Sequence, residues 1–146
     1  MEITVKNFSE LTTIELHDLL QLRSEVFVVE QKCVYQDIDG KDLNALHVIG
    51  TKEGKIVAYT RCFKPGYYFS EAAIGRVVVL ESERKFGYGH DIMKASKKAI
   101  KNRFATESIK LSAQTYLIKF YQSHGFEPIG EEYLEDGIPH IAMITT

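Results

Sequence analysis

Cysteine is scarce, long apolar runs are missing, and neither sign of charge dominates; each of these lacks removes a class of protein. Two cysteines in 146 residues, Cys33 and Cys62, are too few for a disulfide framework. No Cys-x-x-Cys or His-Glu-x-x-His occurs, so no bound metal is expected and both thiols are read as reduced. No apolar run approaches the roughly 18 residues that a membrane-spanning helix requires. The start, Met1-Glu2-Ile3-Thr4-Val5-Lys6, has neither the basic region nor the apolar core of a secretory signal. A cytoplasmic protein with no membrane partner is expected. Eighteen Lys and Arg against 20 Asp and Glu leave a formal net charge of −2, which argues against a general nucleic-acid surface. What is present, 45% hydrophobic and 26% charged residues, suits a single domain over 1–146 with a buried core.

The most informative stretch is Val77 to His90. Val77-Val78-Val79 reads as a strand, and Arg84-Lys85-Phe86-Gly87-Tyr88-Gly89-His90 as a glycine turn opening a long amphipathic helix. Glycines just before a helix let a ligand approach N–H groups that no helical carbonyl satisfies. The helix dipole adds about half a positive charge there, and Arg84 and Lys85 add two more, so phosphate is the expected guest. Two familiar phosphate patterns fail. The third glycine of GxGxxG would fall at Ile92, and the Gly-Lys steps Gly40-Lys41 and Gly54-Lys55 continue into Asp42 and Ile56, not the Ser or Thr of a P-loop.

The remaining pattern places the segments in order. Ile3 and Val5 alternate in a first strand, and Thr12 with Glu15 forms a capping box before a helix over about 13–29. The runs 47–51 and 56–63 flank Lys52-Glu53-Gly54-Lys55 at hairpin spacing, and a strand over about 73–79 follows the Pro65-Gly66 loop. A helix from Gly89, a strand over 109–114, a helix over 115–124 and a hairpin about Asp136-Gly137 complete the series β, α, β, β, β, α, β, α, β, β. Lys97, Lys98, Lys101 and Arg103 fall in the last turns of the long helix, where cations complement the dipole.

Arg84-x-x-Gly87-x-Gly89 resembles the acetyl-CoA signature of the GNAT superfamily of N-acetyltransferases, usually written Gln/Arg-x-x-Gly-x-Gly/Ala. The later Ile109 to Gln114 strand and the Phe120-Tyr121-x-x-x-Gly125-Phe126 ending look like the second half of that superfamily's cofactor site. Leu22 to Gln31, Tyr35 to Asp42 with His47, and Tyr133 to His140 are similar to the ElaA-like subgroup. The resemblance covers about residues 3–144 and implies an α/β fold with a mixed, mostly antiparallel sheet flanked by helices.

It also implies transfer of an acetyl group from acetyl-CoA to a primary amine by direct attack in a ternary complex, with coenzyme A as product. The main chain of Val77, Val78 and Val79 would pair with the pantetheine arm, Val79 N–H would face the thioester oxygen, the N–H groups of Arg84, Lys85, Phe86, Gly87, Tyr88, Gly89 and His90 would take the pyrophosphate, and Gln114 would bond the arm. Tyr121 matches the position of the acid that protonates the leaving thiolate. The usual basic Glu four residues before Val77 is Ala73 here, so a water chain or another group must serve. Of Glu30, Asp39, Asp42, His47 and His140, all from segments expected near the acceptor groove, His47 and His140 have the better pKa for a base. Glu30, Asp39 and Asp42 belong to an acidic segment expected to attract a small-molecule or peptide amine. The same fold also admits a non-catalytic acyl-CoA-binding module, used as a sensor or to bind a partner, and leaves room for a homodimer.

Overall fold

The long apolar strands and the two I′-type turns between them dictate the frame. Lys52 pairs with Lys55 and Glu135 with Ile138, so each hairpin closes on two residues with positive φ, Glu53-Gly54 and Asp136-Gly137. Such turns match the natural twist of the strands they join. The computed structural model describes residues 1–145. It contains β1 (Glu2–Asn7), α1 (Thr13–Arg23), β2 (Leu46–Lys52), β3 (Lys55–Phe63), β4 (Ala72–Val79), α2 (Tyr88–Phe104), β5 (Ile109–Gln114), α3 (Ile118–Gln122), β6 (Glu127–Glu135) and β7 (Ile138–Ile144). The strands form one seven-stranded sheet in the order β1-β2-β3-β4-β5-β7-β6. Every neighbouring pair is antiparallel except β4 and β5.

Alternation along the strands divides the core between the two faces. Val48, Ala58, Cys62 and Ile74 meet Ile92, Met93 and Ile100 of α2, whereas Ile49, Tyr59 and Val78 meet Leu19, Leu22 and Val26. β3 is covered on both sides and is buried from Ile56 to Phe63, the continuous apolar run of a central strand. The GNAT-type mixed sheet flanked by helices is therefore present. Among the described residues no helix is long and apolar enough to cross a membrane.

Three elements differ from the sequence expectation. The helix expected over 13–29 is an α-helix only to Arg23 and continues as a π-helix over Ser24–Glu30. Its wider winding is carried by bonds such as Gln31 N–H to Val26 O (3.2 Å) and Cys33 N–H to Val28 O (3.1 Å). Wide turns of this kind re-aim side chains and recur at functional sites. The glycine turn after β4 is preceded by a 3₁₀ turn over Glu81–Phe86. The helix expected over 115–124 begins as a 3₁₀ turn and is α-helical only over 118–122, closed by Phe126 N–H on Tyr121 O (3.2 Å).

Candidate active site

The parallel junction of β4 and β5 does not hold together for long. Only Ala72 with Ile109 and Ala73 with Lys110 are paired, and beyond them the strands part. From Ile74 to Val79, β4 keeps β3 on one side and has no strand on the other. A bulge deepens the split: Tyr59 faces Val78 and Arg61 faces Gly75, so Arg76 and Val77 together oppose Thr60. Arg76 has φ +50°, in the left-handed region that side chains occupy at a cost of about 1–2 kcal/mol. A cavity of about 860 Å³ occupies the opening, with Val77, Val78 and Val79 on one wall and Leu111, Ser112 and Gln114 on the other. Leu80 N–H bonds Val57 O on β3 (2.8 Å), so by alternation the Val79 N–H and C=O turn to the open side.

That open edge leads to the N-terminus of α2. Gly87, at φ +75°, turns the chain there without a Cβ to strain it, and no side chain caps the helix. Gly87, Gly89 and His90 line the cavity; the side chains of Lys85, Phe86 and Tyr88 lie off it, around Lys52, whose Nζ sits 4.0 Å from the Phe86 ring centre. A Cβ built on Gly89 would meet the Phe120 ring at 3.4 Å, an ordinary contact, so the protein itself leaves the space in front of Gly89 open. The charge expected from Arg84 is not free. Its guanidinium grips Glu30 through two bonds of 2.7 and 2.8 Å and donates to Val79 O at 3.0 Å. Glu30, brought there by the π-helix, lines the cavity beside the glycine turn with its carboxylate paired to Arg84. His90 Nδ1 lies 2.9 Å from His124 Nε2, and burial, helped by the His90 and Lys97 charges, lowers His124 to about 4.

The opposite end of the cavity is closed by ion pairs made within the protein, in which Arg61 Nε alone of the described buried polar side-chain atoms lacks a hydrogen-bond partner. Arg23 bonds Asp37 (2.9 Å) and Asp42 (2.8 Å), Arg61 bonds Asp39 (2.6 and 2.8 Å) and Asp42 (3.0 Å), and Arg76 bonds Asp37 (2.8 Å). Burial would raise Asp39, but the Arg61 hydrogen bonds, the Lys41 N–H and the Arg61 and Arg76 charges outweigh it and hold the carboxyl well below its usual range. Asp39 reaches the cavity wall; Asp42 does not. The expected role of Asp42 in holding an amine is therefore corrected: it is a buried counter-ion of two arginines.

His47 is corrected in the same way. It is fully buried and off the cavity. Nε2 lies 2.9 Å from Asp42 O, which can only accept, so Nε2 carries the proton and Nδ1 accepts from the Tyr59 hydroxyl at 2.6 Å. Burial lowers its pKa, and both nitrogens are engaged, so it orders the loop and offers no base to the cavity.

His140 and Tyr121 both line the cavity, as does Gln114, which reaches Gln31 Oε1 at 3.5 Å. Tyr121 is buried, T-shaped against Phe120 and Phe126, and burial raises its phenol pKa. His140 Nδ1 donates to Ile138 O at 2.7 Å, and Nε2 is 3.3 Å from Glu135. Arg61, Arg76, Tyr133 and Glu135 also line the cavity and escaped the sequence reading. Arg61 had a signal: a charge inside the buried run 56–63 demands a partner. Glu135 and Tyr133 had only their place in the ElaA-like stretch 133–140, because strand β6 is exposed along nearly its whole length and gives no burial pattern to single them out.

Residues 11–146 match the family model described as an acetyltransferase (GNAT) domain. The chain is 45% identical over 137 residues to Protein ElaA of Escherichia coli (strain K12), covering 92% of this chain and 90% of that protein. The crystal structure of Escherichia coli ElaA superposes with a TM-score of 0.92 at 42% identity, covering 99% of each chain. An acyl-CoA N-acyltransferase from Pseudomonas aeruginosa superposes with a TM-score of 0.94 at 41% identity, covering the whole of both chains. By sequence and by fold, the chain belongs to the GNAT acetyltransferase family, alongside the ElaA proteins.

Proposed function

We propose that this protein is an N-acetyltransferase that moves the acetyl group of acetyl-CoA to a primary amine by direct attack within a ternary complex. The observation that carries this reading is the free edge of β4 running into the uncapped N-terminus of α2. Acetyl-CoA supplies an acetyl thioester whose thiolate is a good leaving group. The residues fit its arm and phosphates: the open main chain of Val77 to Val79 can pair with an amide-bearing arm as an added strand would, and the N–H groups at Gly87 to Gly89 suit an anion, the His90 N–H being bonded to Gly87 O at 3.1 Å. The name of the Pseudomonas aeruginosa neighbour, an acyl-CoA N-acyltransferase, points the same way.

Within this reading Val79 N–H stabilises the oxygen on which negative charge develops, a contribution of about 3 kcal/mol for one such donor. Tyr121 Oη donates the proton that the departing sulfur needs. Its raised pKa keeps the phenol protonated throughout the neutral range but makes it a weaker acid than a thiol, so the proton passes to sulfur in concert with cleavage of the C–S bond. The nitrogen, on losing its second proton to the phenolate, restores the phenol. The Asp39 carboxylate, held by Arg61, shapes the acceptor end without carrying a free charge to the amine.

A thermal-melt titration with acetyl-CoA, wild type against Gly89→Glu, tests the reading. At one hundred times its dissociation constant a ligand adds about 2.7 kcal/mol, or roughly 5–10 °C for a domain of this size. That shift, absent in the variant, followed by amine-dependent thiol release, supports an enzyme; the shift without thiol release from any amine supports the non-catalytic binder, and no shift removes both.

A further inference from the structure

We infer that Glu135 and His140 form the amine-receiving pair of the cavity, Glu135 anchoring the substrate as an ammonium and His140 Nε2 taking its proton. The inference rests on the acetyl-transfer reading and names its substrate class, cationic primary amines. The sheet register assembles the pair: His140 stands between Gln114 on β5 and Tyr133 on β6, and residues paired across strands share a face. The Tyr133 ring lies over the imidazole at 6.2 Å and an interplanar angle of 24°, and its hydroxyl is bonded to Ser112. This pins the ring from one side.

The tautomer follows from the second hydrogen bond. Ile138 O can only accept, so Nδ1 carries the hydrogen and Nε2 of the neutral ring presents its lone pair. In that neutral form the lone pair lies 3.3 Å from the Glu135 carboxylate, two acceptors side by side, whereas the protonated ring pairs with the carboxylate as an ion pair. A cation with N–H groups is the guest that satisfies both. Glu135 is free to play this part: its side chain is 51% exposed and His140 is its one ionic partner among the described residues, whereas Asp39 and Glu30 are held by arginines. Other titratable groups around β7 are Tyr133 on β6, Asp136 in the turn, Cys33, whose thiol donates to Asp136 O at 3.4 Å, and Tyr116 in the 3₁₀ turn after β5. None of these is bonded to Nε2.

The proton step is balanced within the site. One N–H bond of the ammonium breaks, its electron pair stays on nitrogen as the attacking lone pair, and the proton forms the Nε2–H bond. The imidazolium then pairs with Glu135 and returns the proton to water. Ammonium and carboxylate thus give way to neutral amine and an imidazolium–carboxylate pair, with no charge left unmatched.

Two variants test this. His140→Asn keeps an N–H donor for Ile138 O and loses Nε2; Glu135→Gln keeps shape and loses charge. With acetyl-CoA stabilising wild type and both variants equally, His140→Asn is expected to lower kcat about 10²-fold or more and to remove the acid limb of the pH profile. Glu135→Gln is expected to raise KM for cationic amines about tenfold at low salt and leave KM for neutral amines unchanged. Independently of turnover, adding a cationic amine should shift the His140 imidazole NMR signals in wild type and not in Glu135→Gln. Equal acetyl-CoA stabilisation and active turnover with an unaltered acid limb and unaltered amine preference would overturn the inference alone. No acetyl-CoA stabilisation of wild type would overturn the acetyl-transfer reading and the pair with it.

Discussion

At the α2 end of the cavity the open polar groups are main chain, Gly87 to Gly89 and the free edge of β4; at the β6–β7 end they are side chains drawn from β3, β5, β6, β7 and the 31–41 loop. The first end depends on a local turn and an uncapped helix, and its one nearby cation, Arg84, is already held by Glu30. The second end depends on who pairs with whom: three arginines and three aspartates cancel, while among the described residues Glu135 has a histidine for company and Asp136 no ionic partner. A backbone site tolerates changes of side chain and fails when its space is filled. A side-chain site fails when one charge is removed.

The largest effect should come from breaking that cancellation. Arg61→Met strips Asp42 of one guanidinium and Asp39 of its main one, and removing one partner of a buried network costs about 3–5 kcal/mol. A fall in Tm of roughly 10 °C or more, with the increment from acetyl-CoA preserved, would bear out the independence of the two ends. Loss of that increment would join them. Tyr121→Phe should lower kcat by about 10²-fold or more while leaving acetyl-CoA stabilisation intact, since it removes a proton and no packing. Unchanged turnover would free Tyr121 from the acid role.

Acid should weaken the fold in two stages. His124 binds its proton near pH 4 when folded and near 6.5 when unfolded, so between those values the unfolded chain holds more protons. Its contribution is complete above about pH 6.5 and is lost as the pH falls toward 4; buried His47 acts in the same direction. Asp39 and Asp42, lowered on folding, contribute above about pH 4 and lose that contribution below it. Melting curves from pH 7.5 to 5 should therefore decline, and less steeply in His124→Gln. An equal decline would place the effect elsewhere. The smallest change is expected from Glu30→Gln, which releases Arg84 beside the phosphate turn. Acetyl-CoA should bind a few-fold more tightly at low salt, by at most about 1 kcal/mol, with the gain screened away at high salt. Weaker binding would mean that Glu30 holds Arg84 in the productive place.

The order of elements was legible because each rests on a local rule: the Thr12–Glu15 capping box, two glycine hairpins, the apolar run of β3 and the amphipathic α2. The α2 end of the site was legible for the same reason, since Gly87, Gly89 and the preceding strand lie within one short stretch of chain. What misled was charge. Glu30, Asp39 and Asp42 read as an open acidic rim, yet each finds an arginine 19 to 54 residues away along the chain. His47 read as a base and is instead locked between Tyr59 and Asp42 O, and the π-winding after Arg23 shows no periodicity of its own.

The sequence by itself determined the strand and helix order, the hairpins and the glycine turn at Gly87 that opens α2, because backbone propensity and capping act over a few residues. Only the tertiary structure decided which acids remain free, where β4 and β5 part after Ala73 and Lys110, and that His140 meets Glu135 across a hairpin beside Tyr133. Those outcomes depend on strand register and on the partner each buried charge must find, and both are settled only when distant segments come together.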